Sequence, residues 1–429
     1  MPPRLKFPPR RKIPPRMLHG CADLRLAVVS PFVDRRHGTE RALAELLERL
    51  ARTYHCEIHL YSNRVEDLSV NNSGGALPPG TGGIFWHKVP SVPGPHLLQF
   101  LCWFYLNRLW RWAHTFFRGS SFDLVLSPGI NSADADVVIV HALFHRLREL
   151  LQEKAMSASL GLGLLSRVHR RAYYALLTAL ERRIYANPKV SLAAVSRHTA
   201  TQLRKYFGRH EIPVIPNGVD TSVFSPSARA SRRETARLRL QFAPHDRVLL
   251  LIGNDWRTKG LPALLEAVAR CREFPLRICV VGNEDPSSYS DSLARLQLTS
   301  RVSFSPPVED VLDFYAAADF YVAPSKEDSF NLPALEAMAC GLPVIVSTCA
   351  GISEYIHDRV DGILLLNPED PGELAAVLRR FLMAPELMQT IGENASRTAS
   401  ELSWDRHAAA IHNLIRGFVD LDGKASARN

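Results

Sequence analysis

Short apolar runs alternate with stretches of helical period along most of the chain. Residues 24–30, 122–127, 135–141 and 190–196 are rich in Leu, Val, Ile and Ala, the pattern of strands buried on both faces. Residues 56–62 predict a further, more polar strand. Between the first two strands, residues 40–52 carry Leu43, Leu46, Leu47 and Leu50 at helical spacing, which predicts an amphipathic helix. Ser196 stands where an N-cap would open a helix over 197–207. Residues 212–220 predict a short strand with a turn. A polar, arginine-rich stretch at 225–239 then breaks the rhythm. It restarts with predicted strands at 247–253, 276–282, 301–305, 319–325 and 343–347. Predicted helices at 261–271, 308–318 and 333–341 lie among them, the last with Pro333 in its first turn and Gly341 at its end.

Apolar strands separated by helices build parallel sheets covered on both faces. Two such series on either side of a break predict an α/β protein of two doubly wound parallel-sheet domains, near residues 23–222 and 223–400. A length of 429 residues agrees with two or three domains of ~150. The predicted strands end in small or polar residues: Ser30, Ser127, His141, Ser196, Gly253, Gly282, Ser325 and Ser347. Ligands of open α/β sheets sit outside the carboxyl ends of strands, so two such edges facing each other would suit a two-substrate enzyme. Taken singly, each of these residues is more simply a turn former.

Composition removes several classes. Hydrophobic residues are 46% and charged residues 22%, the balance of a globular rather than a disordered chain. No apolar run reaches the ~18 residues of a membrane-spanning helix. The seven cysteines are scattered with no C-x-x-C pair, which argues for reduced thiols, a cytoplasmic location and no zinc site. Six of the nine net positive charges come from Arg4, Lys6, Arg10, Arg11, Lys12 and Arg16. Residues 1–22, rich in proline and without an apolar core, are expected to be a disordered basic tail and not a secretory signal. A solvated tail explains this charge, so nucleic acid is not an expected partner.

The candidate chemistry lies between residues 254 and 336. The strand at 319–325 delivers a polar loop with Glu327 and Asp328, and Glu336 is expected in the first turn of the helix that follows. The amides from Asn331 to Ala334, Pro333 excepted, suit an anionic oxygen. Two carboxylates flanking such a donor can bind the hydroxyls of two sugars. In the segment 251–268 a strand ends at Gly253, and a loop carries Arg257 and Lys259 to a helix start. Paired cations there make a diphosphate clamp without metal. The D-A-D at 134–136 precedes a strand instead of ending one and reads as a turn, not a metal site. Residues 96–118 hold three tryptophans, no acid, and Arg108, Arg111 and Arg118. They suit a helix lying on an anionic membrane, although the density of apolar positions weighs toward a helix packed under the first sheet.

Three segments together, "VIPNGVDTSVFSP" (214–226), "NDWRTKGL" (254–261) and "EDSFNLPALEAMACGLPVIVS" (327–347), resemble the retaining glycosyltransferases of family 4. "HGTERALAELLERLA" (37–51) and "VSRHTATQL" (195–203) are similar to that family's N-terminal segments. The resemblance implies the GT-B fold, two facing Rossmann-like domains. The first would be the acceptor side and the second would hold a nucleotide-sugar donor, with residues 401–420 forming a helix that crosses back. It implies Arg257 and Lys259 on the diphosphate, Glu336 on the ribose and Asp328 on the transferred sugar. Gly253, Asn254, Ser329, Phe330, Asn331 and Leu332 would complete the donor site. His141 would contact the donor sugar near the reacting bond, with His145 a second candidate, and His37 and Gly38 would lie on the acceptor side. The acceptor would be a glycan, a lipid-linked sugar or a cell-envelope polysaccharide precursor, met at the inner face of a membrane. No cofactor or metal is expected. The sequence departs from the family at Asp328, where Glu is usual, at Asn331, where Gly is usual, at Asn254, where Arg is frequent, and at His37. An epimerase or sugar phosphorylase on the same fold, or a non-catalytic scaffold, are the alternatives.

Overall fold

The computed structural model describes residues 24–71, 81–118, 121–157, 164–308 and 310–427. The expected basic tail at 1–22 lies outside them. The first half forms β1 (Arg25–Val29), β2 (Phe32–Val33), α1 (Gly38–Arg52), β3 (Glu57–Ser62), β4 (Arg64–Val65), β5 (Gly83–Lys88), α2 (His96–Arg118), β6 (Leu124–Pro128), β7 (Val137–Val140), α3 (Phe144–Ser157), α4 (Leu164–Tyr185), β8 (Ser191–Ala194) and α5 (Arg197–Phe207). The second forms α6 (Pro226–Arg239), β9 (Arg247–Ile252), α7 (Leu261–Ala269), β10 (Leu276–Val281), α8 (Ser290–Leu296), β11 (Val302–Ser305), α9 (Leu312–Ala317), β12 (Phe320–Ala323), α10 (Leu332–Ala339), β13 (Val344–Ser347), β14 (Ile363–Leu365), α11 (Pro371–Leu382), α12 (Pro385–Ser400) and α13 (Trp404–Ala427).

The strands build two six-stranded sheets in the orders β5-β3-β1-β6-β7-β8 and β11-β10-β9-β12-β13-β14. Their pairings are parallel. The same winding thus occurs twice, reversing direction between β1 and β6 and again between β9 and β12. These reversals open crevices at the carboxyl ends of the strands. The two doubly wound domains read from the sequence are present.

Local chemistry explains several elements. On α1, Leu43, Leu46, Leu47 and Leu50 are buried in the core. Ser196 caps α5, its Oγ accepting from the Thr199 amide at 3.1 Å, and Gly208 ends the helix in the left-handed region.

Three expectations fail. Residues 212–220 make only isolated bridges, Val214 to Ala194 and Val219 to Ser403. Pro213 and Pro216 lack the amide protons a ladder needs. The polar stretch at 225–239 is not a break but the helix α6, capped by Ser225 with Pro226 in its first turn. Three of its arginines are turned inward, while Arg239 stays exposed and Arg232 half-exposed. Arg229 donates to the Ala318 carbonyl at 2.9 Å, Arg233 to Asp319 at 2.6 Å and Arg237 to the Ala317 carbonyl at 3.0 Å. They serve the carbonyls that the end of α9 leaves unpaired. The helix expected at 308–318 is shorter, Leu312–Ala317.

The chain then returns to its first half. The Val219 amide donates to the Leu402 carbonyl at 2.8 Å, and α13 runs on against α1. Arg49 Nε pairs with Asp405 at 2.6 Å, His407 Nδ1 donates to the Pro216 carbonyl at 2.8 Å, and Tyr54 stacks on His412. The crossing is so close that a Cβ on Gly218 would lie 2.2 Å from the Trp404 amide nitrogen. Gly218→Ala should therefore push the returning segment off the first domain and cost about 1–3 kcal/mol, the range of an overpacked contact. Urea unfolding monitored by tryptophan fluorescence measures this, and an unchanged midpoint would contradict the close crossing.

Candidate functional site

The carboxyl edges of the two sheets enclose a cavity of about 260 Å³. The first half lines it with Arg36, His37, Gly38 and Thr39 before and within α1, His141 after β7, Val195 after β8, and Asn217. The second half adds Gly253, Asn254 and Lys259 after β9, Gly282 after β10, Val308 and Val311 before α9, and residues 328–333 after β12. Of the polar strand ends singled out in the sequence, His141, Gly253 and Gly282 reach the cavity. Ser30, Ser127, Ser196, Ser325 and Ser347 are buried and lie outside its lining.

Lys259 and Asp328 meet inside it, the ammonium paired with the carboxylate. Lys259 lies flat over Gly253, where a Cβ would come within 2.8 Å of its Cε, so only glycine leaves it that path. Asp328 is held by its own backbone: its amide donates to the Cys349 carbonyl at 3.2 Å and its carbonyl accepts from Gly351 at 3.0 Å. Glu327, one residue earlier, points elsewhere. It accepts from Arg146 Nε at 2.8 Å and from Gln202 Nε2 at 2.7 Å, and pairs with His198 Nε2 at 2.7 Å, which draws the loop to α3 and α5.

Asn331 occupies a backbone position that explains the family's glycine. Its φ is +74°, a left-handed conformation that asparagine tolerates better than most residues. Its Oδ1 accepts from the Ala334 amide at 3.2 Å and from the Tyr321 hydroxyl at 2.9 Å. The oxygen is fixed by that amide donor, so Nδ2 is the remaining end, buried and without a partner. The Ala334 amide is thus spent on the cap and is not open to an anion, contrary to the sequence reading.

Other candidates stand differently. Glu336 lies in the second turn of α10, not the first, and does not line the cavity. Its carboxylate is buried between Arg41 of α1 and the Tyr315 hydroxyl, the latter at 2.7 Å. Arg41, inside the segment 37–51, was read only as part of a helix. Its partner lies 295 residues away, which no local pattern encodes. Arg257 is exposed on the loop and outside the lining. His145 also lies outside. It pairs with the buried Glu181 at 2.6 Å and packs on Tyr206 and Phe207. His37 is at the cavity wall, its Nδ1 2.9 Å from the Asp34 carboxylate, and Gly38 faces Leu332. Residues 134–136 form a turn in which Asp134 pairs with Arg111 at 2.7 Å and Asp136 accepts from the Val125 amide at 2.8 Å.

Comparison with known proteins follows the two halves of the molecule. Residues 36–223 match a family model described as Glycosyltransferase Family 4, and residues 246–384 one described as Glycosyl transferases group 1. D-inositol 3-phosphate glycosyltransferase of Thermobifida fusca is 31% identical over 261 residues, which is 57% of this chain and 56% of that protein. The chain spans about half the length of the curated relatives it matches. Among solved structures, WaaG, described as a glycosyltransferase involved in lipopolysaccharide biosynthesis, aligns with a TM-score of 0.72 at 21% identity, covering 91% of this chain and 100% of that one. HepE of Anabaena in complex with UDP and glucose aligns with a TM-score of 0.65 at 18% identity, covering 92% and 100%. Both likenesses confirm the architecture of two facing parallel-sheet domains.

Burial holds the His141 imidazole neutral, its pKa pushed down to about 3, with His407 adding to the effect. Burial likewise pushes His407 down to about 4, against the bond to Pro216. Unfolded, both would take a proton near the usual 6.5. The unfolded state then binds more protons between about pH 6.5 and 3, so the stability they contribute is complete above that window and lost as pH falls through it. The thermal midpoint should fall on acidification from about pH 7 to 4.5, and less steeply in His141→Asn/His407→Asn. Parallel curves for parent and double variant would contradict the assignment.

Proposed function

We propose that the chain, whose halves match models described as Glycosyltransferase Family 4 and Glycosyl transferases group 1, is a retaining glycosyltransferase moving a sugar from a nucleotide-sugar donor to a glycan, lipid-linked or polysaccharide-precursor acceptor. The observation that carries this reading is the Lys259–Asp328 pair within the cleft between two carboxyl sheet edges. A diphosphate needs a cation, and the sugar beyond it needs an acceptor of hydroxyl protons. The UDP and glucose named for the Anabaena neighbour and the glycosyl transfer named for the Thermobifida fusca relative support the same donor class.

In this reading the donor diphosphate displaces Asp328 from Lys259, and Arg257 swings in from the rim. Together they stabilise the leaving diphosphate without a metal ion. Asp328, released, accepts from hydroxyls of the transferred sugar. Gly253, Asn254 and the loop from Ser329 to Leu332 shape the pocket, and the Asn331 side chain turns its spare N–H donors to the donor. Glu336, buried outside the cavity lining, takes the ribose hydroxyls once Arg41 draws back from it. A carboxylate has about four lone-pair sites, and Arg41 and Tyr315 use two. His141, kept neutral, hydrogen-bonds the sugar beside the reacting carbon without adding charge. The acceptor enters from the side of His37 and Gly38. Attack comes from the face the diphosphate leaves, which then takes up the acceptor's proton and preserves the anomeric configuration.

The pairing makes a specific forecast. Lys259→Ala should lower kcat/KM by about 10²–10³, the scale of a lost charge-stabilising donor. Asp328→Asn should bind a free nucleoside diphosphate more tightly, because Lys259 is no longer shared, yet transfer sugar more slowly. Glu327→Gln, which alters a carboxylate outside the cavity, is the control. Calorimetry with UDP, GDP and ADP and a sugar-transfer assay read both quantities. Weaker nucleotide binding in Asp328→Asn, or parental turnover in Lys259→Ala, would overturn the roles assigned.

We also propose that the acceptor-side domain meets the inner face of a membrane through α2. No helix among the described residues is long and apolar enough to cross one. One side of α2 is buried through Trp103, Phe104, Asn107 and Arg111. The other exposes Tyr105, Leu109, Trp112, Phe116 and Phe117, the last 81% accessible. Arg108 and Arg111 both turn to Asp134, so contact would come from aromatic insertion more than from cations. Co-sedimentation with phospholipid vesicles should be largely lost in Phe116→Ser/Phe117→Ser and only modestly weakened by salt. Equal sedimentation of parent and variant would refute it.

A further inference from the structure

At the outer edge of the first sheet, far along the strand order from β7 and β8, three histidines converge from separate elements: His59 on β3, His87 on β5 and His114 on α2. One ring nitrogen of each lies within 4.8 Å of the other two. Ring centroids are 5.1 Å apart for His59 and His87, 5.2 Å for His59 and His114, and 4.5 Å for His87 and His114. We propose that this cluster is a divalent transition-metal site, suited to Zn²⁺, that fastens α2 to the sheet edge.

The protonation pattern follows from the partners. His59 Nε2 stands 2.7 Å from the Glu57 carboxylate, which can only accept, so Nε2 carries the proton and Nδ1 the lone pair. His87 Nε2 is 2.8 Å from that Nδ1 and must be the donor there. His114 is oriented by Tyr61, whose hydroxyl is 2.5 Å from its Nδ1. A carboxylate behind a ligating imidazole, fixing tautomer and ring plane, is the arrangement that supports a metal-bound histidine. The Glu57 carboxylate behind His59 also accepts from Arg25 Nε at 2.8 Å and would offset part of the ion's charge. Arg25 also lies 3.2 Å from His59 Nε2, on the side away from the shared nitrogens.

Binding needs small adjustments. Tetrahedral zinc with Zn–N bonds of about 2.0–2.1 Å sets its nitrogens roughly 3.4 Å apart. The His59–His87 hydrogen bond opens slightly, and the His87 proton moves from Nε2 to Nδ1, so no net proton is released at that ring. His59 is buried, while His87 and His114 are half-buried, which leaves a route for the ion and a fourth position for water. Phe85 and Phe122 pack on His59 and keep the site's other side dry. The cysteine pattern argues against a zinc site of any kind, and the histidine cluster departs from that expectation. The pattern carries no information on histidines brought together by a strand pair and a helix.

The test uses the full chain, freed of metal by a chelator and titrated with Zn²⁺. The parent should take up one equivalent more than His87→Asn/His114→Asn, measured by calorimetry and elemental analysis, and Co²⁺ should give the visible absorption of a tetrahedral site in the parent alone. The single variant His87→Gln, at a half-buried strand position, should weaken that equivalent at least tenfold while leaving the chelator-treated unfolding midpoint near the parental value. Equal stoichiometry and affinity in parent and variants, or no saturable binding by the parent, would overturn the proposal.

Discussion

One backbone contact sets the geometry on which everything else rests. Where the Val219 amide meets the Leu402 carbonyl, the end of the first domain and the start of the returning segment become neighbours. The returning helix α13 lies on α1, and α1 begins at the cavity wall with His37 and Gly38. The end of the chain therefore braces the helix that carries one half of the site. Gly218 permits the approach, since any side chain there would occupy the place of the Trp404 backbone.

With the domains so joined, charge pairs cross the interface beside an apolar core that includes residues of both halves. Arg41 reaches Glu336 from the other sheet, and Glu327 gathers Arg146, His198 and Gln202. The Glu354 carboxylate accepts the amides of Arg197 and His198 at the start of α5. Exposed pairs of this kind contribute little, whereas breaking a buried one leaves an uncompensated charge. Glu336 is buried and so belongs to the second class. The cleft is thus bordered by a few directional contacts, while one apolar core cluster runs through both halves.

Legibility from the sequence followed the range of the interactions. β9, β12, β13 and α5 were read with boundaries within a few residues, because period, caps and breakers are local. Asp328 was placed in the loop after β12 by the same means. The arginines of α6 were misread as a break, since a polar helix facing inward looks like a linker until its carbonyl partners on α9 are known. Glu336 was set one turn too early, because Asn331, not Pro333, marks the start of α10. β5 and β14 were missed. β14 has only three residues, and β5 reads Gly-Ile-Phe-Trp-His-Lys, which gives too short or too mixed an apolar run to register.

The sequence by itself determined the fold class, two doubly wound parallel sheets, because apolar strands separated by helices recur in an order that few architectures accommodate, and the motifs at 214–226, 254–261 and 327–347 carried the resemblance to a family. It also determined which loops carry cations and carboxylates. Only the tertiary structure decided which of these groups meet. Lys259 found Asp328, Glu336 was taken by Arg41, Glu327 turned to a different helix, and His145 was engaged by Glu181. The physical reason is that propensity and period act over a few residues, whereas a charge chooses its partner by distance and desolvation in the folded state, among groups that the chain brings together from hundreds of residues away.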